Sequence, residues 1–375
     1  MKQLALHKTR QTVLEIDLKA ILKNFDHFRN QVGPETSFVM VIKAFAYGAG
    51  IKHIAKLFEG EKVAYLAVAC VDEGVELKDA GITQEIIILN PERDGYSQMI
   101  EYGLQPVLYD LDSLQAFSEE LAAFRSYHKP YPVHLKLDTG MHRLGFEEKD
   151  LNQLCSFLMN NESMLVKTVL SHLVASDKPA FDDFTQQQFQ LFERLTSILT
   201  QTLGYAPKRH ILNSGGIERF PNHAYELVRL GIGLYGISSD QANLQNVYTW
   251  KTRITQLKEV KKGDSVSYNR SWVAQRDSKI AVIFVGYADG LNRRLGNENW
   301  SLHWKDKKVP IVGDICMDLC MVDVTDVAAE IGDELIIFNS QQEVYDMAKI
   351  LGTIHYEVLT GISKRVKRVY LPEKN

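Results

Sequence analysis

Thr12-Val13-Leu14-Glu15-Ile16-Asp17 alternates apolar and polar positions with the period of a β-strand. Asp17 is placed to cap a helix whose apolar face carries Leu18, Ile21, Leu22 and Phe25. From Ser37 to about Tyr235 one unit then recurs: an apolar run of strand length, a loop, and an amphipathic helix. Eight such runs are present, at residues 38–42, 63–68, 86–89, 106–108, 133–137, 165–170, 210–212 and 226–229. Strands in this number, alternating with helical stretches such as residues 184–199, predict an α/β barrel of the (β/α)8 type. The fourth and eighth runs carry the weakest pattern. Near Ser238 the texture changes. Runs at 280–285, 309–312, 321–324 and 334–338 follow at closer spacing, divided by Gly-Asp and Asn-rich turns, with one helix around 343–351. The expected organisation is a barrel over residues 13–237 and a C-terminal mostly-β domain over 238–375. With no long linker between them, the two should pack closely.

Composition narrows the classes of function. The chain has 375 residues, of which 45% are hydrophobic and 24% charged, enough to build a sizeable core. The net charge is −4 with no basic block, which argues against a nucleic-acid partner. No apolar run approaches a membrane span, and the N-terminus lacks the stretch that a signal peptide requires. Residues 1–12 are polar and aperiodic and read as a flexible lead. Four cysteines, Cys70, Cys155, Cys316 and Cys320, are too few for a disulfide framework in this length. Cys316 and Cys320 have no second Cys/His pair near them, so no metal site is expected. A reduced cytoplasm suits this usage.

The chemistry of a barrel is read at the C-terminal ends of its strands. Lys43 follows the first run, and Asp138-Thr139-Gly140-Met141-His142-Arg143 the fifth. His172 follows the sixth, Asn213-Ser214-Gly215-Gly216 the seventh, and Arg229-Leu230-Gly231-Ile232-Gly233 the eighth. Each has a plainer reading taken alone. A strand-end lysine can reach solvent, His172 can be a satisfied core residue, and the glycine loops can be simple turns. Together they place a lysine, two arginines, a histidine and two small-residue loops on one face. Loops after strands seven and eight commonly hold phosphate. A lysine in a dry pocket beside a phosphate site suggests pyridoxal phosphate held as a Schiff base.

The segments around these residues resemble the alanine racemase family of pyridoxal-phosphate enzymes. Val41 to Gly48 matches a Val-x-Lys-Ala-x-x-Tyr-Gly pattern, and Lys136 to Gly145 matches Lys-x-Asp-Thr-Gly-Met-x-Arg-x-Gly. Asn213-Ser214, Val228-Arg229-x-Gly231-Ile232, Val266-Ser267-Tyr268, Gly286-Tyr287-Ala288-Asp289-Gly290, Cys316-Met317-Asp318 and Tyr356-Glu357-Val358 follow in the family's order. The resemblance implies interconversion of L- and D-alanine to supply peptidoglycan. It makes Lys43 and Tyr268 the two catalytic bases, with Lys43 also bonded to pyridoxal 5'-phosphate. A tyrosine serves as a base only where its phenolate is stabilised, and the resemblance gives that task to His172 and Arg229. It assigns the cofactor to Tyr47, His172, Asn213, Ser214, Arg229, Gly231, Ile232 and Tyr356, with Arg229 facing the ring nitrogen. Arg143 and the backbone of Met317 would take the substrate carboxylate, and Lys136 would orient Arg143, carbamylated in many relatives. It further implies a homodimer in which Tyr268 and Met317 complete the partner's site, and a first strand, 13–16, that joins the β domain. Three positions depart from the family pattern: Phe45, Ala49, and Asp314 where an arginine is usual. Asp314 would alter the charge of the substrate's access route.

Overall fold

A computed structural model describes residues 12–59, 63–124, 129–238 and 244–372. The predicted lead therefore lies outside the described residues, apart from Thr12. Strand β1 (Val13–Asp17) passes straight into helix α1 (Leu18–Arg29), because Asp17 Oδ1 accepts the Ala20 N–H at 3.0 Å and so caps it. The buried face of α1 presents Ile21, Phe25 and Phe28 at helical spacing. Phe25 meets Phe38 and Phe58 edge-on, at centroid separations of 5.0 and 5.4 Å.

Eight parallel strands follow: β2 (Ser37–Val41), β3 (Val63–Val68), β4 (Ile86–Ile88), β5 (Gln105–Leu108), β6 (Tyr131–Lys136), β7 (Met164–Leu170), β8 (Lys208–His210) and β9 (Leu227–Leu230). Each overlaps one of the eight apolar runs, β8 only at His210. The sheet runs in the order β8-β7-β6-β5-β4-β3-β2-β9. Strand β9 meets the segment just after β8 where the Arg229 N–H donates to the Leu212 carbonyl at 3.0 Å, so the barrel is nearly closed. Helices α2 (Val71–Asp79), α3 (Asp182–Leu203) and α4 (Ser214–Arg219) belong to its outer layer and its loops.

The remainder is a mostly-β domain. It contains β10 (Tyr248–Val260), β11 (Ser265–Val266), β12 (Trp272–Val273), β13 (Ser278–Ile283), β14 (Ser301–Trp304), β15 (Lys307–Pro310), β16 (Cys320–Asp323), β17 (Glu334–Phe338) and β18 (Lys367–Leu371). Two helices, α5 (Gln341–Leu351) and α6 (His355–Thr360), lie between β17 and β18. The main sheet has the order β15-β14-β17-β10-β1-β18. Thus β1 pairs antiparallel with β10 and parallel with β18. The longest strand, β10, has no counterpart among the apolar runs. Its buried positions alternate with Lys251 and Arg253, and a bulge between Ile254 and Gln256 then shifts the phase, so no continuous apolar stretch marks it.

The two parts join around one short loop. Tyr248 Oη donates to the Tyr47 carbonyl at 3.0 Å, Arg368 Nε to the Gly48 carbonyl at 2.8 Å, and Tyr370 Oη to the Ala49 carbonyl at 2.8 Å. Three consecutive carbonyls beyond Lys43 are thereby held by β10 and β18.

Candidate active site

The C-terminal ends of the barrel strands surround a cavity of about 300 Å³. Its wall includes Lys43, Tyr47, Lys136, Arg143, His172, Asn213, Ser214, Arg229, Gly231, Ile232 and Tyr356. The structure thus brings together every barrel residue to which the resemblance gave a site role, and Tyr356 from α6 with them. Four of the lining side chains are lysine or arginine, and among the described residues none of the lining side chains is a carboxylate. A cavity with that charge favours an anionic occupant.

Lys43 stands where β2 ends. Burial lowers its pKa first, the Arg143 guanidinium lowers it further, and Glu73 opposes both. After Lys43 the backbone winds left-handed through Ala44, Phe45, Ala46 and Tyr47, with φ of 52, 55, 53 and 53°. Each such non-glycine residue costs roughly 1–2 kcal/mol, so the loop persists only because its surroundings fix it. Glu73, in the first turn of α2, accepts the Phe45 N–H at 3.3 Å and the Ala69 N–H at 2.9 Å. The three hydrogen bonds from β10 and β18 hold the loop's other side. Sequence reasoning missed Glu73. Its only signal was an acidic residue at a helix start, which is common.

Arg229 is fully enclosed on β9. Its Nη1 donates to His210 Nδ1 at 2.9 Å and to the His210 carbonyl at 3.0 Å. Its Nη2 donates to the Ser171 and Ile211 carbonyls at 2.6 and 3.0 Å, and to His172 Nδ1 at 3.1 Å. Burial, and then Arg143, bring its pKa down only to about 10, so it remains a cation at neutral pH. Burial first, and then the surrounding cations led by Arg229, hold His172 well below the ordinary histidine range. His172 is therefore neutral, with its proton on Nε2 because Nδ1 accepts from the arginine.

Arg143 rides on a loop organised by Asp138, whose Oδ1 accepts the Gly140, Met141 and His142 N–H groups at 2.8, 2.9 and 3.1 Å. At Gly145, φ is +136°, and an added Cβ would lie 2.5 Å from the Asp138 nitrogen, so only glycine closes this loop. Lys136 lies below it. Burial and then Arg143 lower the Lys136 pKa to about 8. The unfolded chain therefore binds more protons than the folded one between about pH 8 and the ordinary value of 10.5. Stability gains from this lysine as pH rises through that window, and the penalty is fully present below it. Denaturant unfolding of the cofactor-free protein, in buffer free of carbon dioxide, should show a larger gain from pH 8 to 10 than the Lys136→Met variant does. Identical pH dependences would refute the depressed pKa.

At the far side, Ser214 Oγ accepts the Gly231 and Gly233 N–H groups at 3.3 and 3.2 Å. An added Cβ on Gly231 would come within 2.6 Å of Tyr47 Oη. This cradle of small residues and hydroxyls has the form of a phosphate seat. Asn213 caps α4 instead of pointing free, its Oδ1 accepting from the Gly216 N–H at 2.9 Å and from Ser176 Oγ at 2.8 Å.

Tyr268 and Met317 do not line the cavity of their own barrel. Tyr268 sits between the short paired strands β11 and β12 with 68% of its surface exposed, and Met317 is 53% exposed. Ser267, Asn269 and Arg270 beside Tyr268 all have positive φ, at 74, 57 and 53°. Ser267 Oγ donates to the Asp314 carbonyl at 2.7 Å. The Asp314 carboxylate is engaged locally, accepting from Arg293 at 3.3 Å and Asn297 at 3.0 Å.

Fold and site together define a two-domain barrel enzyme with a buried amine and a cradle of small residues in one cavity. Family models described as the alanine racemase N-terminal and C-terminal domains match residues 16–239 and 247–370. The chain belongs to the alanine racemase family. It is 38% identical to alanine racemase 2 of Caldanaerobacter subterraneus subsp. tengcongensis, over 96% of this chain and 95% of that one. It resembles the solved alanine racemase of Clostridium difficile with a TM-score of 0.90 and 32% identity, covering 97% of this chain and 96% of that one. It also resembles the alanine racemase of Bartonella henselae, solved with covalently bound pyridoxal phosphate. There the TM-score is 0.86 and the identity 29%, over 96% of this chain and 99% of that one.

Proposed function

We propose that the protein interconverts L- and D-alanine by a two-base mechanism with pyridoxal 5'-phosphate as cofactor. It acts as a cytoplasmic homodimer that supplies D-alanine for peptidoglycan. The observation that carries this reading is the cavity itself: a desolvated lysine, three further basic side chains and a small-residue cradle, with no carboxylate lining it among the described residues. Family membership supports alanine as the substrate. Among the described residues no helix is long and apolar enough to cross a membrane.

The residues present fit the cofactor. Lys43 would carry it covalently; Tyr47, Ser214, Gly231, Ile232 and Tyr356 would seat its phosphate; and Arg229 would face its ring nitrogen, with His172 and Asn213 beside it. When bound, pyridoxal phosphate supplies a sink for the electron pair left at the substrate α-carbon. Arg229 donates a hydrogen bond without giving up a proton, which keeps that sink weak and disfavours side reactions. Arg143, oriented by Lys136, binds the substrate carboxylate, with the Met317 N–H as a second donor. The depressed Lys136 pKa leaves part of its amine unprotonated near neutral pH, as addition of carbon dioxide requires.

Lys43 would exchange the α-proton on one face. Tyr268 does so on the other, its phenolate stabilised through His172 and Arg229. Two bases on opposite faces invert the centre without turning the substrate. The exposure of Tyr268 and Met317 supports their delivery to the barrel of a second copy. A coupled assay for D-alanine formed from L-alanine, with and without added cofactor, tests the reading. Absence of D-alanine from the loaded protein would overturn it.

A further inference from the structure

Beneath Arg229 a single file of polar side chains crosses the barrel interior. His210 Nε2 lies 2.9 Å from Thr168 Oγ1, and that hydroxyl 2.8 Å from His134 Nδ1. His134 Nε2 lies 3.0 Å from Gln105 Oε1, and Gln105 Nε2 donates to Glu85 Oε1 at 2.8 Å. The file takes one residue from each of β8, β7, β6 and β5 and ends just before β4. Thr168 and Gln105 lie two positions from Leu170 and Val107, which line the cavity, and His134 lies two from Lys136, so all three face inward. His134, Thr168 and His210 are wholly buried and Gln105 is 3% exposed, whereas Glu85 is exposed to solvent.

The direction of every hydrogen bond is fixed from both ends. Arg229 can only donate, so His210 Nδ1 accepts. Burial holds His210 and His134 neutral, the latter with a pKa near 3. The single proton of His210 is therefore on Nε2 and is donated to Thr168. At the other end the Glu85 carboxylate can only accept, so the Gln105 amide donates to it and turns its Oε1 to His134. His134 then carries its proton on Nε2 and accepts at Nδ1. The two assignments meet at Thr168, whose hydroxyl accepts one bond and donates one, without conflict.

We propose that Thr168, His134 and Gln105 are positioning residues for Arg229, since their chain, anchored on Glu85, holds His210 in the one tautomer that can accept from the guanidinium. In the other tautomer two donors would face each other, and Arg229 would turn away from the ring nitrogen. The proposal rests on the reading of Arg229 as the cofactor's ring partner. The chain spans the barrel from the site to its opposite end and sets the geometry of a reaction that none of its lower members touches.

Thr168→Val deletes the meeting point with little change in volume, and Thr168→Ser restores a hydroxyl. Nitrogen NMR of labelled histidines in the full-length, cofactor-free protein reads the tautomers directly. His134 and His210 should both be protonated at Nε2 in the unmodified protein and in Thr168→Ser. Thr168→Val should shift both signals and, in the loaded enzyme, lower kcat about tenfold or more with little change in KM, the size expected for one hydrogen bond to a charged group. Should Thr168→Val fail to fold, Gln105→Leu, at the outer end, should move the His134 signal and lower kcat. A proton on Nδ1 of either histidine overturns the proposal. So does a Thr168→Val protein that is less stable yet retains its tautomers and its kcat per folded site. Failure of the unmodified chain to form D-alanine would instead overturn the reading of Arg229, while the tautomers would still be judged by the spectra.

Discussion

Lys43→Ala should lower racemisation by at least about 10⁴-fold, because on the proposed mechanism one substitution removes both a general base and the point of covalent attachment. The fold should survive. The loop after Lys43 is held by Glu73 from one side and by Tyr248, Arg368 and Tyr370 from the other, and none of these contacts uses the lysine side chain. Removing a desolvated amine from among three other basic groups also relieves repulsion, so stability should be unchanged or raised. Borohydride treatment followed by denaturation distinguishes the outcomes: the unmodified protein should retain its cofactor covalently, and Lys43→Ala should release it. Lys43→Arg should be equally inactive, since a guanidinium does not deprotonate at working pH. Activity of either variant within tenfold of the unmodified protein would remove Lys43 from the chemistry.

Tyr268→Phe keeps the ring and deletes the hydroxyl, and should cost about 10²–10⁴-fold, the usual worth of a general acid–base group. Its mixture with Lys43→Ala carries more information. If Tyr268 serves the partner's barrel, each mixed dimer contains one site with both bases and one with neither. Refolding the two inactive proteins together in equal amounts should then recover about a quarter of the unmodified activity, since half the dimers are mixed and half of their sites are intact. If each chain used its own tyrosine, every site in the mixture would lack one base and nothing would be recovered. The exposed ribbon carrying Tyr268, whose side chain stands clear of its own barrel, favours recovery.

The barrel was legible because its buried strands are apolar runs bounded by turns, and even Gln105–Leu108 and Leu227–Leu230 fell where the pattern was weakest. Strand β10 was hidden because its signal is alternation, partly carried by Thr252 and interrupted by a bulge. The cavity was legible to the extent that chemistry at strand ends follows from topology. What the sequence concealed was how its residues are held. Four successive left-handed residues after Lys43, and three more around Tyr268, occur with almost no glycine to announce them. Their conformation comes from long-range partners, namely Glu73, Arg368, Tyr370 and the Asp314 carbonyl, which no local pattern encodes. Likewise His134 and Thr168 read as ordinary strand residues until the register of β6 and β7 sets them side by side.

Strand β1 lies between β10 and β18, the latter among the last elements of the described chain. On the ribosome, which delivers chains from the N-terminus, β1 emerges before the other strands of these two domains and is among the last of them to be paired. The barrel can close behind it while both its edges still wait, and α1, already docked on that barrel through Phe25 and Phe28, would hold it at the rim. Completion of the sheet is then a late, long-range event of high contact order. Because β18 also carries Arg368 and Tyr370, which clamp the loop beyond Lys43, that loop is fully held only once β18 has been made. Nascent chains would pass through a barrel-first state that is folded but not yet competent.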